Sequence, residues 1–219
     1  NEIATGLIGT QTALSIVPYG SGNGLARHWG FSLTPRKAVA QINAGTSHPM
    51  DYGVVNDRKF FCTCGTGFDA HITHMYAKKG TRGFLTYLKC IVPEYFKYKP
   101  YEYQLEVNGE TISRNAFVVT FANASQYGND GFIAPHASTQ DGLMDICFLD
   151  EFPMSSMPKL AWQLLHKTLD RSPYTTYFRS REAILRRSYE GEFHVDGEAI
   201  LLGKEIHVEI ISDQLKIWI

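Results

Sequence analysis

GEFHVDGEAILLGKEIHVEIISDQLKIWI, residues 191–219, reads as β structure from end to end. Gly191 to Val195, Ala199 to Leu202, Glu205 to Ile211 and Gln214 to Ile219 read as short strands separated by turn residues. Asp196-Gly197 between the first two is a hairpin turn by composition. A plain turn accounts for that dipeptide but not for Glu198, a second carboxylate entering the next strand, where it is placed to take a proton from a hydroxyl nucleophile.

Working backwards, the same texture continues. Glu182 to Arg187, Leu143 to Leu149, and Tyr101 to Val107 with Thr111 to Phe121 around Asn108-Gly109 are further strands, the last pair a hairpin. Arg58 to Cys64 is a strand closed by Gly65-Thr66-Gly67. Helices interrupt rarely: Phe68 to Ala77, Arg82 to Val92 ended before Pro93, and about Met157 to Leu169 with a Leu160, Ala161, Leu164, Leu165, Leu169 stripe. The first 45 residues differ. Ile3, Leu7 and Ile8 recur at helical spacing, and Ala13 to Val17 is a β-branched run suited to a buried strand. Pro35 to Ala44 is a helix with Thr34 as N-cap and Val39 and Ile42 inward. The expected fold is α+β: an α/β remnant over residues 1–45 and a mainly antiparallel, sandwich-like β domain over 46–219.

Between the first strand and its helix lies Pro18-Tyr19-Gly20-Ser21-Gly22-Asn23-Gly24-Leu25-Ala26-Arg27. Glycines there let backbone N–H groups approach a phosphate. The absence of a following Lys excludes a P-loop, and the spacing is not the dinucleotide fingerprint; a simple turn is the competing reading. Asn129 to Asp145 holds two more Asp-Gly pairs, Asp130-Gly131 and Asp141-Gly142. Asp141 could give charge, and neighbouring carbonyls oxygens, to a hard cation, or its pair could only turn the chain. His71 and His74 sit three apart without a third ligand at matching spacing. Phe84 to Tyr103 interleaves aromatics with Lys89, Lys97 and Lys99, either a surface for lipid headgroups or a core stripe with snorkelling lysines.

Composition bounds these readings. The chain has 219 residues, 44% of them hydrophobic, and a formal charge of −1, so no global field draws it to nucleic acid or an anionic membrane. Cys62, Cys64, Cys90 and Cys147 form neither a disulfide ladder nor a zinc ribbon, which points to a reducing, cytoplasmic setting. No run approaches the roughly 20 apolar residues of a membrane span.

In order along the chain, Pro-x-Gly-Ser-Gly-Asn-x-Leu-Ala-Arg (18–27), Gly-x-Gly-Phe-Asp-Ala (65–70), Ala-Pro-x-Ala-x-x-x-Asp-Gly-x-x-Asp (134–145) and Val-Asp-Gly-Glu (195–198) resemble the diacylglycerol kinase and sphingosine kinase catalytic-domain family, above all its soluble bacterial lipid kinases. Members carry Gly-Gly-Asp-Gly-Thr-x-Asn-Glu, and Asn1-Glu2 is similar to its last two residues. The resemblance implies that most of a nucleotide domain lies upstream, that this chain alone is inactive, and that the site is a cleft between two domains. It implies transfer of the γ-phosphoryl of ATP to a lipid hydroxyl, diacylglycerol-like or sphingoid. ATP would meet Asn1, Glu2, Gly20, Ser21, Gly22 and Asn23. Mg²⁺ would take Asp141 with backbone oxygens of Ser138 and Leu143. Glu198 would accept the proton, with Asp196 a close competitor, and Asp69 would meet the lipid's polar head. The implied protein works in phospholipid metabolism as a peripheral visitor to the inner membrane face, binds no nucleic acid, and could be a homodimer. Two other functions stay open: an inactive lipid-binding or regulatory module, and an NAD kinase-like phosphotransferase.

Overall fold

The computed structural model describes residues 1–79 and 91–219. The expected helix over Arg82 to Val92 lies almost wholly outside the described residues, and residues 91–95 are helical.

Three short helices lead: α1 (Glu2–Leu7), α2 (Gly24–His28) and α3 (Pro35–Ala44). Then come β1 (Ser47–Val55), β2 (Arg58–Phe60), β3 (Thr63–Gly67) and helix α4 (Phe68–Lys79). β4 (Tyr101–Val107), β5 (Glu110–Ala116), β6 (Val118–Ala122) and β7 (Met144–Leu149) follow. Helix α5 (Met157–Leu165) precedes β8 (Thr175–Ser180), β9 (Glu182–Arg187), β10 (Gly191–Val195), β11 (Glu198–Leu202) and β12 (Glu205–Trp218).

The strands form two six-stranded sheets, β2-β1-β12-β9-β4-β5 and β11-β10-β3-β6-β7-β8. Every pair between named strands is antiparallel. Alternation along each strand sends Phe60, Leu105, Leu185, Ile206 and Val208 of the first sheet against Phe121, Ile146, Phe148, Phe193 and Val195 of the second. Each is nearly or fully buried, and each such side chain contributes about 1.5–3 kcal/mol of transfer free energy. The outer face of the second sheet is also covered. Phe68 and Ile72 of α4 and Leu160 of α5 pack there on Phe117, Val118 and Cys147. α1, α2 and α3 sit elsewhere, their apolar residues joining Met50, Tyr52, Leu215 and Ile217 of β1 and β12.

Several sequence readings change. Ala13 to Val17 is not a regular strand. Its ladder is one bridge to β12, in which Leu14 N–H donates to Lys216 O and Trp218 N–H to Leu14 O, and a strand without further neighbours stays irregular. In α3 the inward residues are Ala38 and Ile42, while Val39 is exposed; Thr34 supplies no side-chain cap. Arg58 to Cys64 breaks at Phe61-Cys62, because the amides there are used elsewhere, as shown below. Gly65-Thr66-Gly67 lies inside β3 rather than closing it. β5 ends at Ala116 and β6 starts afresh in the other sheet, so Thr111 to Phe121 is two strands. The two final strands are one, β12, because β1 pairs with it on both sides of the irregularity between Met50 and Tyr52. α5 stops at Leu165.

β1 and β8 had no counterpart in the sequence reading. β1 contains Pro49, Asp51 and Gly53, all poor strand formers, and is a strand because β12 supplies its partners. A Cβ at Gly53 would fall 2.0 Å from the Phe60 ring, so glycine is required where β2 folds over β1.

Candidate active site

The hairpin turn between β10 and β11 faces inward. Asp196 takes a left-handed φ of 49°, which Asp tolerates and Gly197 at 83° completes. Its Oδ2 accepts the Phe61 N–H at 2.8 Å, and its Oδ1 accepts those of Cys62 at 2.8 Å and Thr63 at 3.0 Å. This is why the β2–β3 chain breaks: three successive amides converge on one carboxylate instead of pairing in a sheet. Burial pushes the Asp196 carboxyl above its ordinary range, and the three amides, with the side chain of Asn1, pull it partly back. The first residue of the chain therefore lies against the hairpin that closes the last third of it.

Glu198 differs from Asp196 although two residues away. It pairs with Val195 at the start of β11, is exposed, and makes no side-chain hydrogen bond or ion pair among the described residues. Asp196 has its acceptor positions taken; Glu198 is open.

Strand alternation builds a second group on the outer face of the same sheet. Val195 and Phe193 point into the core, so His194 and Glu192 point out, towards α4. His194 Nε2 is 3.1 Å from Asp69 Oδ2, and the same oxygen accepts the Tyr127 hydroxyl at 2.9 Å. Asp69 Oδ1 accepts its neighbour's N–H, from Ala70, at 2.7 Å. Tyr127 O–H also meets Thr120 Oγ1 at 2.6 Å, and burial followed by the Asp69 charge keeps the phenol well above its usual range. Two residues along α4, His71 places Nδ1 2.8 Å from Glu192 and Nε2 3.4 Å from Glu94.

The glycine loop is docked rather than free. Gly20 N–H donates to Asn23 Oδ1 at 2.9 Å and Asn23 Nδ2 returns a bond to Gly20 O at 2.7 Å, so Asn23 closes the loop on itself. Asn129 N–H donates to Gly22 O at 3.0 Å, and a Cβ at Gly128 would stand 2.9 Å from the Gly22 backbone. Ser21 is exposed, and its hydroxyl has no hydrogen bond among the described residues. Behind the loop, His28 Nδ1 lies 2.9 Å from Ser125 Oγ and accepts the Ser125 N–H at 3.1 Å. Burial, then the Lys167 charge, lowers His28 to about 4, so the ring is neutral at pH 7. Arg27 pairs with Asp130 at 2.6 Å. Glu2 is exposed beside the chain's own amino group.

The Asp141-Gly142 pair sits where β1 bulges. Asp51 at the bulge is buried, and its Oδ2 accepts the Gly142 N–H at 2.8 Å. Asp141 Oδ1 accepts the Leu143 N–H at 3.1 Å, and Oδ2 pairs with the Arg179 guanidinium. Arg179 Nε stands 3.5 Å from Asp145 Oδ2, an oxygen that is buried and has no hydrogen-bond partner. Burial raises the Asp145 carboxyl, with Arg179 opposing. Ser138 uses its hydroxyl on the Gln140 N–H at 3.2 Å, leaving its carbonyl for other work. Oxygens are the donors a hard cation takes, but among the described residues no three His, Cys, Asp or Glu side chains gather as metal ligands, and Arg179 stands on the carboxylates of Asp141 and Asp145. Asn123 joins the Asp141 and Asp196 regions: its amide donates to Asp51 O and to Phe61 O, both at 2.9 Å.

Sequence reasoning did not find Asp51, Asn123, Tyr127, His28 or His194. His28 directly follows the glycine motif in sequence; Asp51, Asn123 and Tyr127 meet the glycine and Asp-Gly signals through tertiary contacts. Cys64 is a buried and Cys62 a partly buried free thiol, and desolvation pushes the pKa of both well up.

Residues 62–217 match the YegS C-terminal NAD kinase beta sandwich-like domain, and residues 1–55 match the diacylglycerol kinase catalytic domain. The chain belongs to the diacylglycerol kinase catalytic-domain family, in its YegS-like bacterial branch. It is 32% identical over 148 residues to a Mycobacterium tuberculosis protein named diacylglycerol kinase, an alignment covering 64% of this chain and 48% of that one. A Salmonella typhimurium protein named "Probable lipid kinase YegS" is 28% identical over 233 residues, covering 99% of this chain and 73% of that one. The match thus spans about half of the first relative's length. Among solved structures, a diacylglycerol kinase from Bacillus anthracis aligns with a TM-score of 0.71 at 15% identity, over 95% of this chain and 67% of that one. A second B. anthracis structure reaches 0.75 at 16%, over 99% and 72%. Those likenesses confirm the fold.

Proposed function

We propose that the protein containing this chain is an ATP-dependent lipid kinase that transfers the γ-phosphoryl group to a lipid hydroxyl, diacylglycerol-like or sphingoid. One observation carries the reading: the Asp196 carboxylate is nested on three amides with Asn1 against it, while Glu198 stands open at the same turn. Asp196 is the positioning residue that fixes the turn, and Glu198 accepts the hydroxyl proton. Ser21 and Gly22 face the nucleotide; Gly20 and Asn23 shape the loop for them, since their polar groups already bond each other. Asn1 and Glu2 complete the nucleotide wall supplied by the preceding segment of the relatives. Asp69 orients the acceptor's polar head, itself held by Tyr127 and His194. Asp141, with carbonyls of Ser138 and Leu143, holds Mg²⁺, which supplies charge neutralisation near the phosphates. Phosphoryl transfer relies more on positioning and charge than on the base. The protein is a peripheral, cytoplasmic enzyme; among the described residues no helix is long and apolar enough to cross a membrane.

A second reading has its own support, because the matched sandwich family carries NAD kinase in its description. The test is labelled ATP with the complete protein against diacylglycerol, sphingosine, ceramide, phosphatidylglycerol and NAD. Transfer to a lipid alcohol is expected; transfer to NAD alone selects the second reading, and none to any acceptor leaves a lipid-binding module.

A further inference from the structure

Helix α5 is apolar on two opposite sides. Leu160 is buried on the inner side, with Leu164 packed beside it against the outer face of the second sheet. On the other arc Pro158, Ala161, Trp162 and Leu165 are exposed together, Trp162 by 55% and Leu165 by 50%. The outer arc carries Lys159 beside these apolar residues, and the Trp162 ring stacks on His166 with centroids 4.2 Å apart, so its other face is open to solvent. The helix contains no acidic residue. Lys159 flanks the exposed arc, and Lys167 follows the helix end.

Its place in the fold adds to this. Leu164 O accepts the Phe132 N–H at 2.8 Å, and Lys167 Nζ stands 4.4 Å over the Phe132 ring. Phe132 belongs to the loop that carries Tyr127 and Gly128, the residues that hold Asp69 and the glycine loop. α5 is thus bonded to the loop that borders the Asp69 group and the glycine loop.

We propose that the outer arc of α5, Trp162 and Leu165 between Lys159 and Lys167, is an interfacial helix that seats the protein on an anionic lipid surface. Trp at the headgroup level, an aliphatic residue below it and flanking lysines are the chemistry of such helices. A second copy of the chain fits less well. Nine residues make a helix about 13 Å long, and its exposed arc falls far below the roughly 800 Å² each partner gives to a stable dimer. The inference takes its biological sense from the lipid kinase reading, but vesicle binding tests it without turnover.

The experiment titrates the complete protein with phosphatidylglycerol/phosphatidylcholine vesicles and with phosphatidylcholine alone, reading pelleting and tryptophan emission. Binding to the anionic vesicles with a blue shift is expected. Trp162→Ala with Leu165→Ser should lower partitioning about tenfold or more, and Lys159→Glu about tenfold, with thermal melts unchanged because these side chains are exposed. No binding by the wild type, or binding that all these variants retain, overturns the proposal. So does a concentration-dependent dimer, without lipid, that Trp162→Ala dissolves. Vesicle binding that survives in a protein with no lipid phosphorylation would remove the kinase reading and leave this one standing.

Discussion

Asp141-Gly142 and Asp196-Gly197 are the same dipeptide at two strand junctions, and the structure uses them in opposite ways. At 196 the aspartate itself takes the left-handed turn, and its carboxylate swings into the protein and gathers three amides. At 142 only the glycine has positive φ, at 72°, and the Asp141 carboxylate stays at the surface with Arg179. The first is an organiser of backbone; the second is a charge held near the surface and open to exchange of its partner. The turn residue alone does not set which way the charge faces: Asp130, before Gly131, also takes a positive φ of 59°, and its carboxylate stays exposed with Arg27. The three amides at Phe61 to Thr63 are what hold Asp196 inward.

The comparison breaks most readily at the 196 turn. Glu198→Gln should cost two to four orders of magnitude in phosphoryl transfer, a rough range for a general base, with no change in melting because the side chain is exposed and unbonded. Asp196→Ala should instead destabilise by about 3 kcal/mol or more in denaturant unfolding, since it orphans amides bonded to a charge. If Asp196→Asn abolishes turnover while Glu198→Gln turns over normally, the two roles are exchanged.

Next in size is a pH effect. His28 is held near 4 against an ordinary 6.5, so its neutral form contributes stability above pH 6.5 that is lost as pH falls towards 4, about 3 kcal/mol in all. Asp196 works in the other sense: its folded carboxyl is raised, so its contribution is complete below the unfolded value and is lost as pH rises through the folded one. Urea midpoints between pH 7 and 4 should fall for the wild type and fall less for His28→Asn.

The smallest effect belongs to the 141 turn. Asp141→Asn should cost about 0.5–1 kcal/mol, as for an exposed ion pair, and should remove any Mg²⁺-dependent gain in melting temperature. Arg179→Ala, by freeing both carboxylates, should enlarge that gain. A melting temperature indifferent to Mg²⁺ in both the wild type and Arg179→Ala would show that the loop is not a cation site.

Much of this was legible in residues. The Asn108-Gly109 hairpin, with φ of 52° and 79°, and the strands around residues 182–202 follow from alternation and turn chemistry, which are local. The four motifs lay in family order, and the Asp-Gly turns at 141 and 196 were noticed. What escaped is held by distant partners. β1 is a strand only because β12 pairs with it; Ala13 to Val17 is irregular for want of such partners. Tyr127, His194 and His28 carry no motif, and they matter because α2, α4, β10 and the loop that holds Ser125 and Tyr127 converge from four parts of the chain. Asn123 is a lone asparagine in sequence and the link between the Asp141 and Asp196 regions in space.

The most direct test pairs the two turns in one assay. Labelled phosphate transfer from ATP to lipid alcohols is measured for the complete protein, Glu198→Gln and Asp141→Asn at saturating Mg²⁺. The account predicts transfer by the wild type, a loss of at least about a hundredfold in Glu198→Gln, and a smaller loss in Asp141→Asn. Wild-type transfer to NAD alone, or a Glu198→Gln protein as active as the wild type, would contradict it.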